Sequence, residues 1–424
     1  MGDITELHGR RNKILGAGSP LFYSKPLHLV RGEGVSLFDA EGRRYTDMYN
    51  NVASVGHCHP HVVEAISRQV ATLNVHSRYL HEGIVEYAER LMGRHHDGIE
   101  CAILTCSGTE ANEVALLMAR QATNGRGIIC TNAAYHGNSS AVRALTRLST
   151  EVISKTAEVR AVSFPDTYRF VGDDPCSYYL EELDQTIQSF RRDNVPFAGM
   201  LVCSIFANEG LPNVPKEYLS KAAEIVHAAG GLLICDEVQS GLCRTGKWWG
   251  YQDMGVLPDI VTMGKPIGAG VPLAGVAASG ELVEKFRSET RYFNTFAASP
   301  LQAAAGNAVL DVIENEGIQS SVLAVGEKLL CDLQEIQPQF EQMGDVRGVG
   351  LFIGIEWVLD RTTKEPDVEG AMKMVEALKE KGFLISHAGA HRNMLKIRPP
   401  LVFQHTDSAA FLEAFNETLR ELYG

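Results

Sequence analysis

Short apolar runs alternate with longer amphipathic stretches through most of the chain. The runs that predict strands are Ala102–Thr105, Gly127–Thr131, Met200–Ile205, Gly231–Cys235 and Asp259–Met263. The stretches that predict helices between them are Ala111–Thr123, Lys216–Ala229 and Ser299–Asn315. This alternation is typical of an α/β fold in which helices flank a mostly parallel, buried central sheet.

The two ends of the chain have a different pattern. Near the carboxyl end, strands are predicted within Met343–Trp357 and Met394–Phe403, and helices over Val368–Lys381 and Asp407–Tyr423. Near the amino end, Gly34–Phe38 and Tyr45–Asp47 predict a strand pair around a turn. We therefore expect a large domain over residues 51–310 and a smaller α+β domain over 311–424. The segment 1–50 is expected to pack with the small domain or at an interface.

Charge and composition exclude several classes of protein. The 424 residues carry a formal net charge of −13, whereas nucleic-acid and membrane-surface binding need an extended basic face. No apolar run has the length of a membrane span, and the first residues have no signal-peptide pattern. The nine cysteines are irregularly spaced, which favours reduced thiols in a cytoplasmic protein over a disulfide framework.

Asp236 and Lys265 follow two successive apolar runs. Because ligands bind at the carboxyl ends of parallel strands, both side chains are expected in one site. A buried carboxylate there can keep a ring nitrogen protonated, or it can cap the following helix. A lysine between a buried strand and a glycine-rich turn would lose hydration and become a better amine nucleophile, unless it is a solvated loop residue.

Two further segments carry polar groups at strand ends. Ser107, Gly108 and Thr109 end one predicted strand and open a helix, and the free N–H groups of a helix start bind anions such as phosphate. Ser107 or Thr109 could instead be a simple helix cap. Tyr135 and His136 follow the next strand, where the aromatic ring could stack on a cofactor or belong to the core.

Two other motifs favour neither a metal site nor a dinucleotide site. His57, Cys58, His59 and His61 are too tightly clustered for an ordinary zinc site, and no second cluster completes one, so we expect no metal. The glycines at 348, 350 and 354 do not have the dinucleotide-binding spacing, which argues against a dehydrogenase. A non-catalytic binding protein on the same fold stays possible.

Taken in order, these segments resemble the class III aminotransferases, which are enzymes of fold type I that use pyridoxal 5′-phosphate (PLP). The resemblance covers nearly the whole chain and rests on NVASVGHCHP, SGTEAN, AYHG, CDEVQSGLCRTGKWW, PDIVTMGKPIGAGVPLAG, NTFAASP and GDVRGVGLFIG.

The resemblance implies a role for each matching residue. Lys265 is expected to hold PLP as a Schiff base and to move the substrate proton, and Asp236 to bind the pyridine nitrogen. The other implied cofactor contacts are Ser107, Gly108, Thr109, Tyr135, His136, Glu209, Gln239 and Thr295. Glu209 stands in Ala-Asn-Glu-Gly where the family usually has Glu-Pro. Thr295 is expected to reach the cofactor of a second subunit, which implies a homodimer with shared active sites.

The substrate segment departs from the common family pattern. Many members have an arginine that grips the substrate carboxylate where this chain has Lys396, and lysine lacks the planar fork of arginine. Arg398 follows two residues later and is expected on the same face of a strand, which would keep the pocket cationic. His76 and Arg78 concentrate positive charge in another segment of the chain.

These four residues, with VGHCHP and SRYLH, resemble the ethanolamine-phosphate phospholyase branch of the family. We therefore expect a phospholyase that eliminates phosphate from a small phosphorylated amine. The alternative is an aminotransferase that passes an amino group from an amine to a keto acid.

Overall fold

The computed structural model describes residues 4–146 and 157–424. Its strands are β1 (Leu29–Glu33), β2 (Ser36–Asp39), β3 (Arg44–Asp47), β4 (Cys101–Thr105), β5 (Gly127–Thr131), β6 (Val159–Val162), β7 (Phe197–Val202), β8 (Leu232–Asp236), β9 (Ile260–Met263), β10 (Ala274–Ala278), β11 (Met343–Val349), β12 (Phe352–Trp357), β13 (Phe383–Leu384), β14 (Ser386–Ala388) and β15 (Met394–Ile397).

The α-helices are α1 (Ile4–Leu15), α2 (Pro60–Thr72), α3 (Glu82–Met92), α4 (Gly108–Thr123), α5 (Ser140–Arg143), α6 (Pro175–Arg192), α7 (Tyr218–Ala228), α8 (Gly250–Asp253), α9 (Gly280–Thr290), α10 (Pro300–Asn315), α11 (Ile318–Ile336), α12 (Val368–Glu380) and α13 (His405–Tyr423). Short 3-10 helices occupy Lys265–Gly268 and Gln337–Gln339.

A seven-stranded sheet forms the centre of the molecule, in the order β4-β10-β9-β8-β7-β5-β6. Strand β10 is antiparallel to both of its neighbours, and the pairs among the other adjacent strands are parallel. Every residue of β5, β7, β9 and β10 is buried, as expected of strands covered by helices on both faces. The predicted α/β fold is confirmed.

Two four-stranded sheets lie outside the central one. The sheet β11-β12-β15-β14 is antiparallel and comes from the carboxyl end of the chain. The sheet β1-β2-β3-β13 joins the predicted opening strand pair to residues far along the chain, through the parallel pairing of Phe383 with Thr46. The amino-terminal strands thus pair with the carboxyl-terminal region.

One predicted strand is shorter in the structure. The apolar pattern predicts a strand over Met394–Phe403, but β15 ends at Ile397. Pro399 and Pro400 follow and have no N–H group to donate to a neighbouring strand, so the ladder stops there. Arg398 therefore lies beyond the strand, and its direction is not set by strand alternation.

No helix within residues 4–146 and 157–424 combines the length and the apolar character needed to cross a bilayer.

Candidate active site

Two cavities meet at Lys265, at the carboxyl edge of the central sheet. The first has a volume of about 200 Å³, and its wall includes Ser107, Gly108, Thr109, Tyr135, His136, Asp236, Gln239 and Lys265. Cys203, Asn208 and Val238 complete that wall. The structure thus brings together residues of four separate chain segments that the sequence pattern had singled out.

Asp236 ends β8 and is held by three hydrogen bonds. Asn112 Nδ2 donates to its Oδ2 at 2.9 Å, His136 Nδ1 lies 2.8 Å from the same oxygen, and the Val238 N–H donates to Oδ1 at 3.0 Å. Burial by itself raises the pKa of Asp236, but these hydrogen bonds and the charge of His136 outweigh it and lower the pKa below its usual value. The carboxylate is therefore ionised at neutral pH.

Asn112 is a site residue to which sequence reasoning gave no role. It is completely buried on α4, and its amide donates both to Asp236 and to the His136 carbonyl oxygen, at 2.8 Å. Its Oδ1 accepts the Thr262 hydroxyl at 2.7 Å. The signal in the sequence is a polar residue on the apolar face of a predicted helix. A buried amide needs hydrogen-bond partners, so such a residue indicates other polar groups nearby.

The start of α4 faces the same cavity. Ser107 is the N-cap, and its hydroxyl accepts the Glu110 N–H at 3.2 Å. The first backbone hydrogen bond of the helix runs from the Ala111 N–H to the Ser107 carbonyl oxygen. The N–H groups before Ala111 have no carbonyl partner within the helix, and they lie at the positive end of the helix dipole. A Cβ at Gly108 would come within 2.9 Å of the Val238 side chain. Only glycine therefore fits between the start of α4 and Val238.

Gln239 lies on the wall of the first cavity and has hydrogen-bond partners at both ends of its amide. Its Nε2 donates to Asn208 Oδ1 at 2.9 Å, and Asn208 Nδ2 donates to the Tyr135 carbonyl at 3.3 Å. Its Oε1 accepts from Lys396 and Arg398. The amide therefore connects the Tyr135 segment to the cations at the end of β15.

Lys265 begins a 3-10 helix directly after β9 and has a left-handed backbone, with φ of +39°. Lys265 is exposed to the two cavities, and its wall position is shared by both. Burial and the nearby charge of Arg398 lower its pKa below the usual value for lysine, although Asp236 partly opposes this. A lysine with a lowered pKa is a better nucleophile and base near neutral pH.

The second cavity, of about 390 Å³, contains Lys265 and Arg398 on its wall. Arg398 also donates to the Tyr49 carbonyl oxygen, from Nε at 3.0 Å and from Nη2 at 2.8 Å. Lys396 is not on the wall of either cavity. It is 1% exposed, and its Nζ donates to the Ala207 carbonyl at 2.7 Å. The expected contact between Lys396 and a substrate is thus replaced by contacts within the protein.

Glu209 also lies outside the cavities beside Lys265. Its carboxylate is buried and accepts the Thr131 hydroxyl at 2.5 Å, and Asn208 takes the place on the cavity wall. Glu209 therefore does not line the cavity in which its cofactor contact is expected. The backbone of this segment is left-handed at Phe206, with φ of +51°.

His76 and Thr295 line a separate recess, of about 470 Å³, together with Tyr79 and Phe296. His76 stacks on Tyr79, with ring centroids 5.2 Å apart, and the Arg78 guanidinium lies over the Phe293 ring at 4.1 Å. Arg78, Thr295 and Phe296 are exposed. Within one chain these residues do not reach the cavities at Lys265.

The histidines near residue 58 form separate pairs. His57, His59 and His61 lie at 2.7, 3.2 and 2.8 Å from Asp47, Glu316 and Asp311, respectively. Each side chain thus has its own carboxylate partner.

Comparisons with known proteins agree with this geometry. The sequence model of class III aminotransferases matches residues 22–419. An alanine–glyoxylate aminotransferase 2-like protein of Drosophila melanogaster is 35% identical over 98% of this chain and 87% of its own length. An ethanolamine-phosphate phospho-lyase homologue of Caenorhabditis elegans is 35% identical over 98% of this chain and 93% of its own.

A solved phospholyase from Arthrobacter, in complex with phosphoethanolamine, superposes with a TM-score of 0.95. It is 40% identical and the match covers 98% of this chain and 99% of that one.

The fold and the site define an enzyme of fold type I that uses PLP. An ionised carboxylate, a lysine of lowered pKa and a helix start surround one cavity, and these are the groups that a pyridine nitrogen, an aldehyde and a phosphate require. The chain belongs to the class III aminotransferase family.

Proposed function

We propose that the enzyme is a phospholyase that removes phosphate from a small phosphorylated amine such as O-phosphoethanolamine. Water is consumed, and an aldehyde, ammonia and inorganic phosphate are formed. PLP bound in the first cavity supplies an electron sink for the carbon that carries the amino group. The remaining requirements fall on residues of this chain.

An unpaired buried cation beside Lys265 is the observation that carries this proposal. Arg398 is 6% exposed, and within the described residues it forms no ion pair with a carboxylate. Asp47 lies on the same wall, but its carboxylate is already bound by His57 and by the N–H groups of Tyr49 and Asn50. Since buried charge without a partner is costly, an anionic substrate would complete the site.

Each catalytic task has a candidate residue. The Lys265 amine would take the proton from the carbon bearing the amino group, because its lowered pKa makes the neutral base accessible. Asp236 would keep the ring nitrogen of the cofactor protonated. Arg398, on the cavity wall next to Lys265, would bind the phosphate and stabilise its negative charge as it leaves.

The chain is further proposed to act as a homodimer. His76, Arg78 and Thr295 lie together on an exposed surface with Tyr79 and Phe296, which are 62% and 76% exposed. Such large apolar side chains on one face are typical of an interaction surface. A second copy packed there would bring these polar groups towards its own cofactor site, where His76 and Arg78 could supplement Arg398.

The two relatives compared above bear names from two reactions, so aminotransfer is the second candidate. The test is to incubate the PLP-loaded enzyme with O-phosphoethanolamine in the absence of any keto acid. A phospholyase releases phosphate and ammonia in equal amounts over many turnovers. An aminotransferase releases no phosphate and stops after one turnover, until pyruvate or another acceptor is added.

Two controls make this assay specific. Arg398→Met should raise KM for O-phosphoethanolamine by roughly 10- to 150-fold, the effect of losing a hydrogen bond to a charged group. Arg126→Met, which changes an exposed arginine with a side-chain exposure of 61%, should leave KM unchanged. Acceptor-dependent turnover without phosphate release would replace the phospholyase proposal by the second candidate.

A further inference from the structure

Lys396 is buried without a carboxylate partner among the described residues, and its burial and the nearby charge of Arg398 hold its pKa well below the usual value for lysine. Its Nζ contacts the Ala207 carbonyl at 2.7 Å and Gln239 Oε1 at 3.4 Å, and it lies 5.3 Å from the centroid of the Phe352 ring. Strand β15 fixes this position, because Lys396 pairs with Gly354 on one side and with Ser386 on the other. The side chain is thus held behind Gln239 rather than in a cavity.

The contacts of Gln239 determine which end of its amide faces which neighbour. The Arg398 guanidinium can only donate hydrogen bonds, so the amide atom that it shares with Lys396 must be the oxygen. The amide nitrogen then donates one hydrogen to Asn208 Oδ1. Its second hydrogen remains available on the wall of the first cavity, to which Gln239 belongs.

We infer that Lys396 is a positioning residue that acts on the cofactor site through Gln239, and is not a ligand of the substrate. Together with the shorter contact from Arg398, it holds Oε1 and so directs the second N–H of Gln239 towards the cavity in which PLP would bind. A hydrogen-bond donor at that point favours the ionised form of an oxygen on the cofactor ring. The inference does not depend on which amine the enzyme uses.

The burial of Lys396 separates this role from substrate binding. A substrate phosphate would have to displace either the Ala207 carbonyl or the Gln239 amide to reach Nζ, and neither leaves an open path in the structure. Arg398 has the opposite arrangement, since its guanidinium contacts Gln239 and also lies on the cavity wall. The two cations therefore have different functions although they are two residues apart.

The test is the absorbance spectrum of the PLP-loaded enzyme without substrate, at one fixed pH. The ratio of the two cofactor absorbance bands reports the ionisation of the ring oxygen. In Lys396→Met this ratio should change by roughly 2- to 10-fold, the effect of one hydrogen bond. Lys396→Arg, which retains cationic donors, should restore the ratio at least in part.

A double-mutant cycle shows whether the effect passes through Gln239. Once Gln239→Ala has changed the spectrum, adding Lys396→Met should produce no further change. Lys379→Met is the matched control, because Lys379 is also buried, at 3% exposure, but pairs with Glu376 and Glu380 and is not on the wall of the first cavity. Its spectrum should equal that of the unchanged enzyme.

Three results would overturn the inference. One is an unchanged spectrum in Lys396→Met combined with a raised KM for the phosphorylated amine, which would make Lys396 a substrate ligand. The second is additivity of the two changes in the cycle. The third is a change in the Lys379→Met spectrum that is as large as the change in the Lys396→Met spectrum. If Lys396→Met does not fold, Lys396→Gln retains a neutral donor and is measured in the same way, with a smaller change in the ratio expected.

Discussion

His136 Nδ1 lies 2.8 Å from the Oδ2 atom of Asp236, in a fully enclosed part of the site. Because the pKa of Asp236 is lowered and the carboxylate is ionised, the hydrogen of this contact belongs to His136 Nδ1. His136 thus fixes the orientation of the carboxylate and holds it in the charged form. The second oxygen of Asp236 receives the Val238 N–H, which restricts the carboxylate further.

Asp236→Asn should leave the fold and much of the PLP binding intact and lower kcat by on the order of 10²-fold or more. An amide cannot keep the ring nitrogen protonated, and several kcal/mol of carbanion stabilisation would be lost. Steady-state kinetics together with the cofactor content of the purified variant would measure both effects. A loss of less than tenfold would show that Asp236 does not have this role.

Asn112→Leu should lower both the stability and kcat, because it removes the amide that holds Asp236 and the His136 carbonyl together. Loss of buried hydrogen bonds costs about 1–3 kcal/mol. Asn393→Leu is a matched control, since Asn393 is 1% exposed and donates to Glu356 and to the Trp357 carbonyl, far from Lys265.

Denaturant unfolding and kcat would be measured for both variants. The control should lose stability but keep kcat. If the two variants had equal kcat, Asn112 would be a structural residue only.

The parts of the site that follow strand ends could be predicted from the sequence. Asp236 and Lys265 come after two apolar runs, and β8 and β9 are indeed adjacent and parallel, with Asp236 opposite Thr262. The start of α4 and the Tyr135 segment are predicted by the same signal. In each case an apolar run ends at a polar residue, which is a local feature of the sequence.

The contacts of Lys396 and Glu209 could not be predicted, because they depend on how distant segments pack. Lys396 meets the Ala207 carbonyl across 189 positions of the chain, and Asn208 rather than Glu209 lies on the cavity wall. The antiparallel direction of β10 was likewise not evident, since a buried strand has the same apolar pattern in either direction.

Lys265→Met should raise the unfolding temperature of the cofactor-free protein at neutral pH. The native state depresses the pKa of Lys265, so keeping the ammonium charged in the folded protein costs free energy. This cost is fully present below the folded pKa and disappears as the pH rises to the unfolded value of lysine. The difference in Tm between the variant and the unchanged protein should therefore shrink at alkaline pH.

Lys379→Met is the control for this stability measurement. Ion pairs with Glu376 and Glu380 raise the pKa of Lys379 despite its burial, so its charge stabilises the fold. Removing that charge should lower Tm. If Lys265→Met also lowered Tm near pH 7, the lysine would not be desolvated in the cofactor-free protein.

The last prediction concerns Thr295, which lies in the exposed recess with His76 and far from Lys265 of its own chain. If Thr295 acts in the site of a second subunit, two inactive variants should complement each other. Lys265→Ala removes the amine, and Thr295→Trp blocks the recess. In a mixed dimer one site would carry both changes and the other neither. Mixing and reassociation should therefore recover up to about a quarter of the activity, if subunits pair at random and sites act independently.

Arg78→Ala in place of Thr295→Trp would show whether that guanidinium also acts across the interface. Verified subunit exchange without any recovery would place Thr295 outside a shared site, and it would leave the assignments of Asp236 and Lys265 unchanged.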